Sequence, residues 1–188
     1  MAVKILAFAG SARRESFNVR LLKVAAEGAR AAGAEVTLLD MREHALPMFD
    51  EDFEASQGTP APVTAFKALM KAHDGFLIAS PEYNSTFSPM LKNAIDWASR
   101  PAPGEGPLEC FRGKTAALVS ASPGYYGGYR GLQQVRYVLG NIGVVVLPDM
   151  FALPKAHEAF NADGSLKDAK QAEMAAGLGR SLAAYLSR

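Results

Sequence analysis

Val3-Lys4-Ile5-Leu6-Ala7-Phe8-Ala9 runs directly into Gly10-Ser11-Ala12-Arg13-Arg14-Glu15-Ser16-Phe17-Asn18, and the reading of this junction decides the fold. Apart from Lys4 the first stretch is apolar throughout, without the alternation of a half-exposed strand. That pattern suits a strand buried on both faces of a parallel sheet. Beyond the junction, Leu22, Ala25, Ala26 and Ala29 recur at helical spacing, and Gly33 supplies a stop signal. The polar stretch is therefore the turn between a first strand and a first helix.

The same alternation continues along the chain. Residues 36–39, 75–79, 115–120 and 144–147 read as four further strands. Helical patterns cover about 62–72, 89–99, 131–142 and 168–186, the last with Met174, Leu178, Leu182 and Tyr185 on one side. Five strands alternating with five helices predict an α/β fold. It is a doubly wound, five-stranded parallel sheet with helices on both faces, because each crossover is right-handed and covers a face. No repeat, low-complexity tract or linker interrupts residues 1–188, which read as a single domain. Two long irregular segments remain, 40–60 and 100–112, and loops of that length are usually functional or mobile.

Composition narrows the function. Of 188 residues, 49% are hydrophobic and 21% charged, an ordinary globular balance. A formal net charge of +1 gives no field strong enough to gather nucleic acid or an anionic membrane, so any bound anion must be held by local contacts. Cys110 is the only cysteine, which excludes an intrachain disulfide and fits a reducing compartment. A small core or loop position is expected for it rather than a reactive thiol. The apolar run Ile5 to Ala9 is short for a signal peptide, and Arg13 and Arg14 follow where a cleavage site needs small neutral residues. No stretch approaches the ~20 apolar residues of a membrane span. A cytoplasmic protein is expected.

In an open parallel sheet, ligands bind beyond the carboxyl ends of the strands, where the strand order reverses. That rule selects the loops after the first, third and fourth strands. In the first, Gly10 allows a sharp turn, Ser11, Ser16 and Asn18 supply short polar groups, and the helix start adds free N–H groups and a positive dipole end. Arg13 or Arg14 can add a charge-assisted contact to a phosphate. The loop matches neither G-x-x-x-x-G-K-[ST] nor G-x-G-x-x-G, which disfavours a nucleoside triphosphatase or an ordinary dinucleotide site. The alternative is a helix N-cap with solvated arginines.

The second loop, Pro81-Glu82-Tyr83-Asn84-Ser85-Thr86-Phe87-Ser88-Pro89, can offer several backbone N–H and C=O groups to the polar edge of a flat heterocycle. Otherwise it is a turn capped by Ser88. In the third, Ser120-Ala121-Ser122-Pro123-Gly124 followed by Tyr125, Tyr126, Gly127, Gly128 and Tyr129, glycines permit close approach and tyrosines can wall a planar ring. A tyrosine-rich surface loop without a ligand is the alternative. Together the three suit a phosphate at one end and a planar ring at the other, the layout of FMN.

Gly10-Ser-Ala-Arg13 with Ser16 and Asn18 resembles the phosphate loop G-S-x-R-x-x-S-x-N of the NADPH-dependent FMN reductase family, flavodoxin-like proteins that include quinone, chromate and azo-dye reductases. Pro81-Glu-Tyr-Asn84 with Leu91-Lys-Asn-Ala-Ile-Asp-Trp97 resembles its flavin-ring signature, and Ser120–Gly124 with Gly127 and Gly128 its third loop. Leu46-Pro-Met-Phe-Asp50 and Phe160-Asn-Ala-Asp-Gly164 also have counterparts. Met90 departs from the glycine that usually follows the proline there.

The resemblance implies a flavodoxin-like fold binding FMN, with Ser11, Arg13, Ser16, Phe17 and Asn18 at the phosphate. Pro81, Glu82, Tyr83, Asn84 and Ser85 would meet the ring edge, and Ser120, Ser122, Pro123 and Gly124 its other side. It implies an enzyme passing electrons from NADPH or NADH to quinones, chromate, azo compounds or free flavin by two-step hydride exchange. The chemistry belongs to the flavin, so no catalytic side chain is expected. The rival reading is a flavodoxin-type electron carrier, typically acidic and with a hydroxyl-rich phosphate loop; the charge balance and Arg13 argue against it. A flavin-free interaction protein of the same fold is a third.

The remaining candidates have simpler readings. His44, His73 and His157 lack metal-ligand spacing, and Asp50, Glu51, Asp52 and Glu54 read as a solvated acidic loop, so no metal is expected. On the 89–99 helix, Trp97, Met90, Ala94, Ala98, Leu91 and Ile95 span an apolar arc of roughly 160°. Trp97 and Met90 at its edge are expected against a second subunit, in a homodimer or homotetramer.

Overall fold

The computed structural model describes residues 2–188. In chain order the elements are β1 (Lys4–Ala9), α1 (Phe17–Ala31), β2 (Glu35–Leu39), α2 (Glu51–Gln57), α3 (Ala61–Ala72), β3 (Gly75–Ala79), β4 (Glu82–Tyr83), β5 (Thr86–Phe87), α4 (Pro89–Ser99), β6 (Thr115–Ala121), α5 (Tyr129–Asn141), β7 (Val145–Leu153) and α6 (Ala169–Leu186). The five long strands form one parallel sheet in the order β2-β1-β3-β6-β7, as the alternation predicts. The chain winds outward from β1 in one direction and then returns to wind in the other. The order therefore reverses at β1 and β3, and their carboxyl ends border the crevice.

Strand pleating sorts the core into two layers. Ile5, Ala7 and Ala9 of β1, with Leu77, Ala79, Ala117, Val119 and Ala121, pack under α1 and α6. Leu6 and Phe8, with Phe76, Ile78, Ala116 and Leu118, pack under α3, α4 and α5. The first layer uses small residues because α1 and α6 nearly touch. A Cβ on Gly28 would lie 2.0 Å from the Ala176 carbonyl oxygen, and one on Gly179 would lie 1.9 Å from that of Ala25. This contact also corrects the predicted face of the last helix. Leu178 and Leu182 are buried with Ala175, Gly179 and Ala183, while Met174 and Tyr185 stand exposed beside the seam.

Three segments differ from their sequence reading. The 40–60 segment contains α2, N-capped by Asp50 and tied down by the ion pair of Glu54 with Arg100. The 81–88 loop folds into the hairpin β4–β5, whose tip residues Asn84 and Ser85 have φ of 50° and 68°, the two left-handed positions of a tight two-residue turn. The last strand runs to Leu153 rather than Leu147, because a register shift against β6 lets the edge strand pass Pro148 and resume pairing.

Trp97 is fully buried within its own chain rather than left for a partner. Its Nε1–H donates to the Pro47 carbonyl at 2.7 Å, and Phe49 and Phe53 meet the indole edge-on. The 40–60 segment thus covers what the wheel suggested as an oligomer edge. Cys110 is buried among apolar neighbours, and burial pushes its thiol upward. His73 is buried at the end of α3, with ring nitrogens 2.6 Å from the Leu69 carbonyl and 2.8 Å from the Thr37 hydroxyl. Among the described residues no helix is long and apolar enough to cross a membrane.

Candidate functional site

Loop 10–18 is fastened at both ends before it can bind anything. The Ser88 hydroxyl donates to the Gly10 carbonyl at 2.6 Å and accepts the Leu91 N–H at the start of α4. A Cβ on Gly10 would lie 2.6 Å from that hydroxyl and 2.8 Å from Leu91 Cβ, so only glycine fits. At the other end, Asn18 is buried and spans to β6. Its Nδ2 donates to the Ala121 carbonyl at 2.9 Å, and its Oδ1 accepts the Ala121 N–H at 3.0 Å. The Ser16 hydroxyl caps α1 by accepting the Val19 N–H.

What the loop leaves free is cationic. The N–H groups of Phe17 and Asn18, first in α1, have no acceptor among the described residues. Arg13 lies over the Phe17 ring, Cζ 5.2 Å from the centroid, and no carboxylate among the described residues lies within salt-bridge distance of it. Arg20 instead pairs with Glu15. A helix start with open donors beside an unpartnered guanidinium favours an anion.

The second loop faces it. Pro81, Glu82 and Tyr83 line a cleft of ≈ 120 Å³ together with Ser11, Arg13, Ser16, Phe17, Asn18, Ala121, Ser122 and Pro123. The Glu82 carboxylate is turned to α5. It accepts from Arg130 Nε at 2.9 Å and from the Gly131 N–H at 3.0 Å, so its charge is neutralised at the edge of the cleft. Tyr83 is half exposed. In the third loop, the Gly124 N–H donates to the Ser122 hydroxyl, and the Ser122 N–H donates to Leu153.

Ten of the fourteen sequence-predicted site residues therefore line one cleft. Asn84 and Ser85 form the hairpin tip and lie outside its lining. Gly124 lies just past it. Ser120 is fully buried and its hydroxyl donates to the Ser80 carbonyl at 2.6 Å, so its side chain acts from beneath the rim. It does so as a packing partner of Gly128, whose added Cβ would fall 1.9 Å from the Ser120 hydroxyl. Two participants had no local signal: Ala121, the bonding partner of Asn18, and Arg130, the partner of Glu82. Each is paired across more than forty residues of chain.

Met90, where the resembled family has glycine, lies elsewhere. With Met41, Leu46, Met48 and Pro89 it lines an apolar hollow of ≈ 420 Å³ on the other side of Ala12. Near it the Arg42 guanidinium, hydrogen-bonded to Asp40, holds that carboxyl down to about 2.

Comparison with known proteins gives the family. The chain is 38% identical over 174 residues to a probable NADPH:quinone oxidoreductase 2 from Oryza sativa subsp. japonica, covering 89% of this chain and 80% of that one. It is 37% identical to an NAD(P)H-dependent FMN reductase of Pseudomonas aeruginosa, covering 92% and 89%. The solved flavoenzyme NAD(P)H:(acceptor) oxidoreductase from Paracoccus denitrificans superposes with a TM-score of 0.83 at 31% identity, over 99% of this chain and 98% of that one. The family profile described as NADPH-dependent FMN reductase matches residues 3–158. With that match laid over the cleft-forming loops, the chain belongs to the NADPH-dependent FMN reductase family.

Proposed function

We propose that the cleft at the carboxyl rim of β1, β3 and β6 holds FMN, and that the protein passes hydride through it from NADPH or NADH to a small acceptor. The acceptor class is a quinone, chromate, an azo compound or free flavin, supported by relatives named as quinone and FMN reductases. The observation that carries the reading is the donor set at residues 11–18: an unpartnered Arg13, the Ser11 hydroxyl and the open N–H groups of Phe17 and Asn18. That set lacks only a dianion, and a phosphate fits it.

FMN, when bound, supplies the hydride chemistry. The chain supplies position. Ser11, Arg13 and the first N–H groups of α1 hold the phosphate, while Ser16 and Asn18 keep the loop in shape. The backbone of Pro81–Ser85 would meet the ring's polar edge and offer hydrogen bonds to negative charge there. Ser122–Gly124 borders the other side, with Ser120 supporting it from below. Tyr83, Tyr125 and Tyr126 stand exposed beside the cleft, which leaves it an open face for small molecules. Donor and acceptor would use that face in turn.

The same reading takes residues 1–188 as one domain working in the cytoplasm, with no nucleic-acid or membrane partner, as a homodimer or homotetramer. Assembly is supported by the exposed Tyr125, Tyr126, Tyr129 and Tyr137 near the cleft wall and α5. Light scattering after size exclusion tests it, and a monomer alone defeats it. The redox role is tested by anaerobic mixing of FMN-loaded protein with NADPH, then NADH. Bleaching of the flavin, reversed by a quinone, is expected. A colour that persists favours an electron carrier, and a protein that gains no visible absorbance with FMN overturns the reading.

A further inference from the structure

Phe160 opens a sequence motif, Phe160–Gly164, that the cleft leaves unused. It lies far along the chain from the phosphate loop, yet its ring is parallel to that of Phe17, with centroids 6.3 Å apart and 3° between planes. The Arg13 guanidinium lies over the Phe17 ring, 5.2 Å from its centroid, and that of Arg20 lies 6.0 Å from the Phe160 centroid. The four side chains form one chain of contacts, Arg13–Phe17–Phe160–Arg20. Offset aromatic pairs and guanidinium-on-ring contacts are each directional, so a stack fixes the plane of its end member.

The segment carrying Phe160 is itself held rigidly. Phe160 pairs with the buried Leu166, and the Asn161 N–H donates to the Ser165 carbonyl at 2.8 Å. The Asp163 carboxylate accepts both the N–H and the hydroxyl of Ser165, which holds its acid below the usual carboxylate range, and Gly164 takes φ of +88° to close the turn. At its start the segment is joined to the cleft wall, the Ala156 N–H donating to the Ser122 carbonyl at 3.1 Å. A bracket anchored at Ser122 therefore sets an aromatic plane parallel to Phe17.

We infer that Phe160 is a positioning residue for the anion site: through Phe17 it holds the Arg13 guanidinium toward the phosphate end of the cleft. Without an aromatic plane parallel to it, Phe17 can rotate away, and Arg13, which has no carboxylate to anchor it, loses its platform. The inference rests on the phosphate reading of Arg13, and the test separates the two.

Affinities of the full-length protein for FMN and for riboflavin, which lacks the phosphate, are measured by quenching of flavin fluorescence. Phe160→Leu keeps apolar bulk without a plane. It is expected to weaken FMN about three- to tenfold and leave riboflavin unchanged, whereas Phe160→Tyr retains wild-type discrimination. Phe17→Leu cuts the same stack from the other side and gives the same pattern if Phe160→Leu does not fold. Parallel loss of both ligands in Phe160→Leu marks a purely structural residue and overturns the inference, as does unchanged FMN binding. If Arg13→Ala abolishes the preference for FMN while Phe160→Leu spares it, only the inference falls. If Arg13→Ala keeps that preference, the phosphate reading falls with it.

Discussion

Lys67, Lys71 and Lys114 near the amino ends of the strands and Arg13 at the carboxyl ends are all cations beside the sheet, yet only the first three are partnered. Lys67 is buried, donates to the Arg100 carbonyl at 2.6 Å and pairs with Glu105, which also binds Lys71. Lys114 donates to the carbonyls of Lys71 and His73 at the end of α3, and burial pushes its ammonium downward. These contacts pin the 100–112 segment under the sheet. At the other rim the backbone is held as firmly, by Gly10–Ser88 and Asn18–Ala121, but charge and N–H donors are left open. One rim completes its electrostatics within the chain; the other is rigid and incomplete. A rigid, incomplete donor set is what a ligand site requires, because it does not reorganise on binding.

The comparison breaks first at the amino rim. Lys67→Met leaves the Glu105 carboxylate short of its buried partner and is expected to cost about 3 kcal/mol, read as a lowered urea midpoint, with FMN affinity retained. Asn18→Ala comes next, since it removes both bonds to Ala121 and strands buried backbone groups. A loss of about 2 kcal/mol is expected, and here flavin affinity falls with stability, because the same bonds join two walls of the cleft.

Arg13→Ala sharpens the contrast. FMN affinity is expected to fall about tenfold by fluorescence titration, while the melting temperature stays within about 1 °C, since no carboxylate partner is lost. The same buried pair also gives stability a pH dependence through Glu105. Hydrogen bonds from Lys67 and Lys71 lower its carboxyl from 4.5 to about 2. A folded value below the unfolded one means the contribution is complete above pH 4.5 and is lost as pH falls toward 2. Glu105→Gln should therefore flatten the acid limb of stability against pH in that window.

Much of this was legible because the signals are local. The apolar run into Gly10, the helical spacing after it and the loops at 81 and 120 each state their role within about ten residues. Ten of fourteen expected site residues meet in one cleft for that reason. The departures have one source as well. Trp97 looked like an oligomer edge because a helix wheel cannot contain Pro47, Phe49 or Phe53. Ser120 reads as a rim residue in the sequence, which does not show that its hydroxyl donates to the Ser80 carbonyl.

The sequence by itself determined the alternation of strands with helices and the chemistry of the loops, since apolar runs, helical spacing and side-chain type are properties of short stretches. Only the tertiary structure decided which polar groups are already satisfied. Asn18 with Ala121, Glu82 with Arg130 and Phe17 with Phe160 are pairs separated by 48 residues of chain or more, and hydrogen bonding and stacking depend on distance in space. Arg13 stands out as the open cation of the cleft lining only when those partnerships are known.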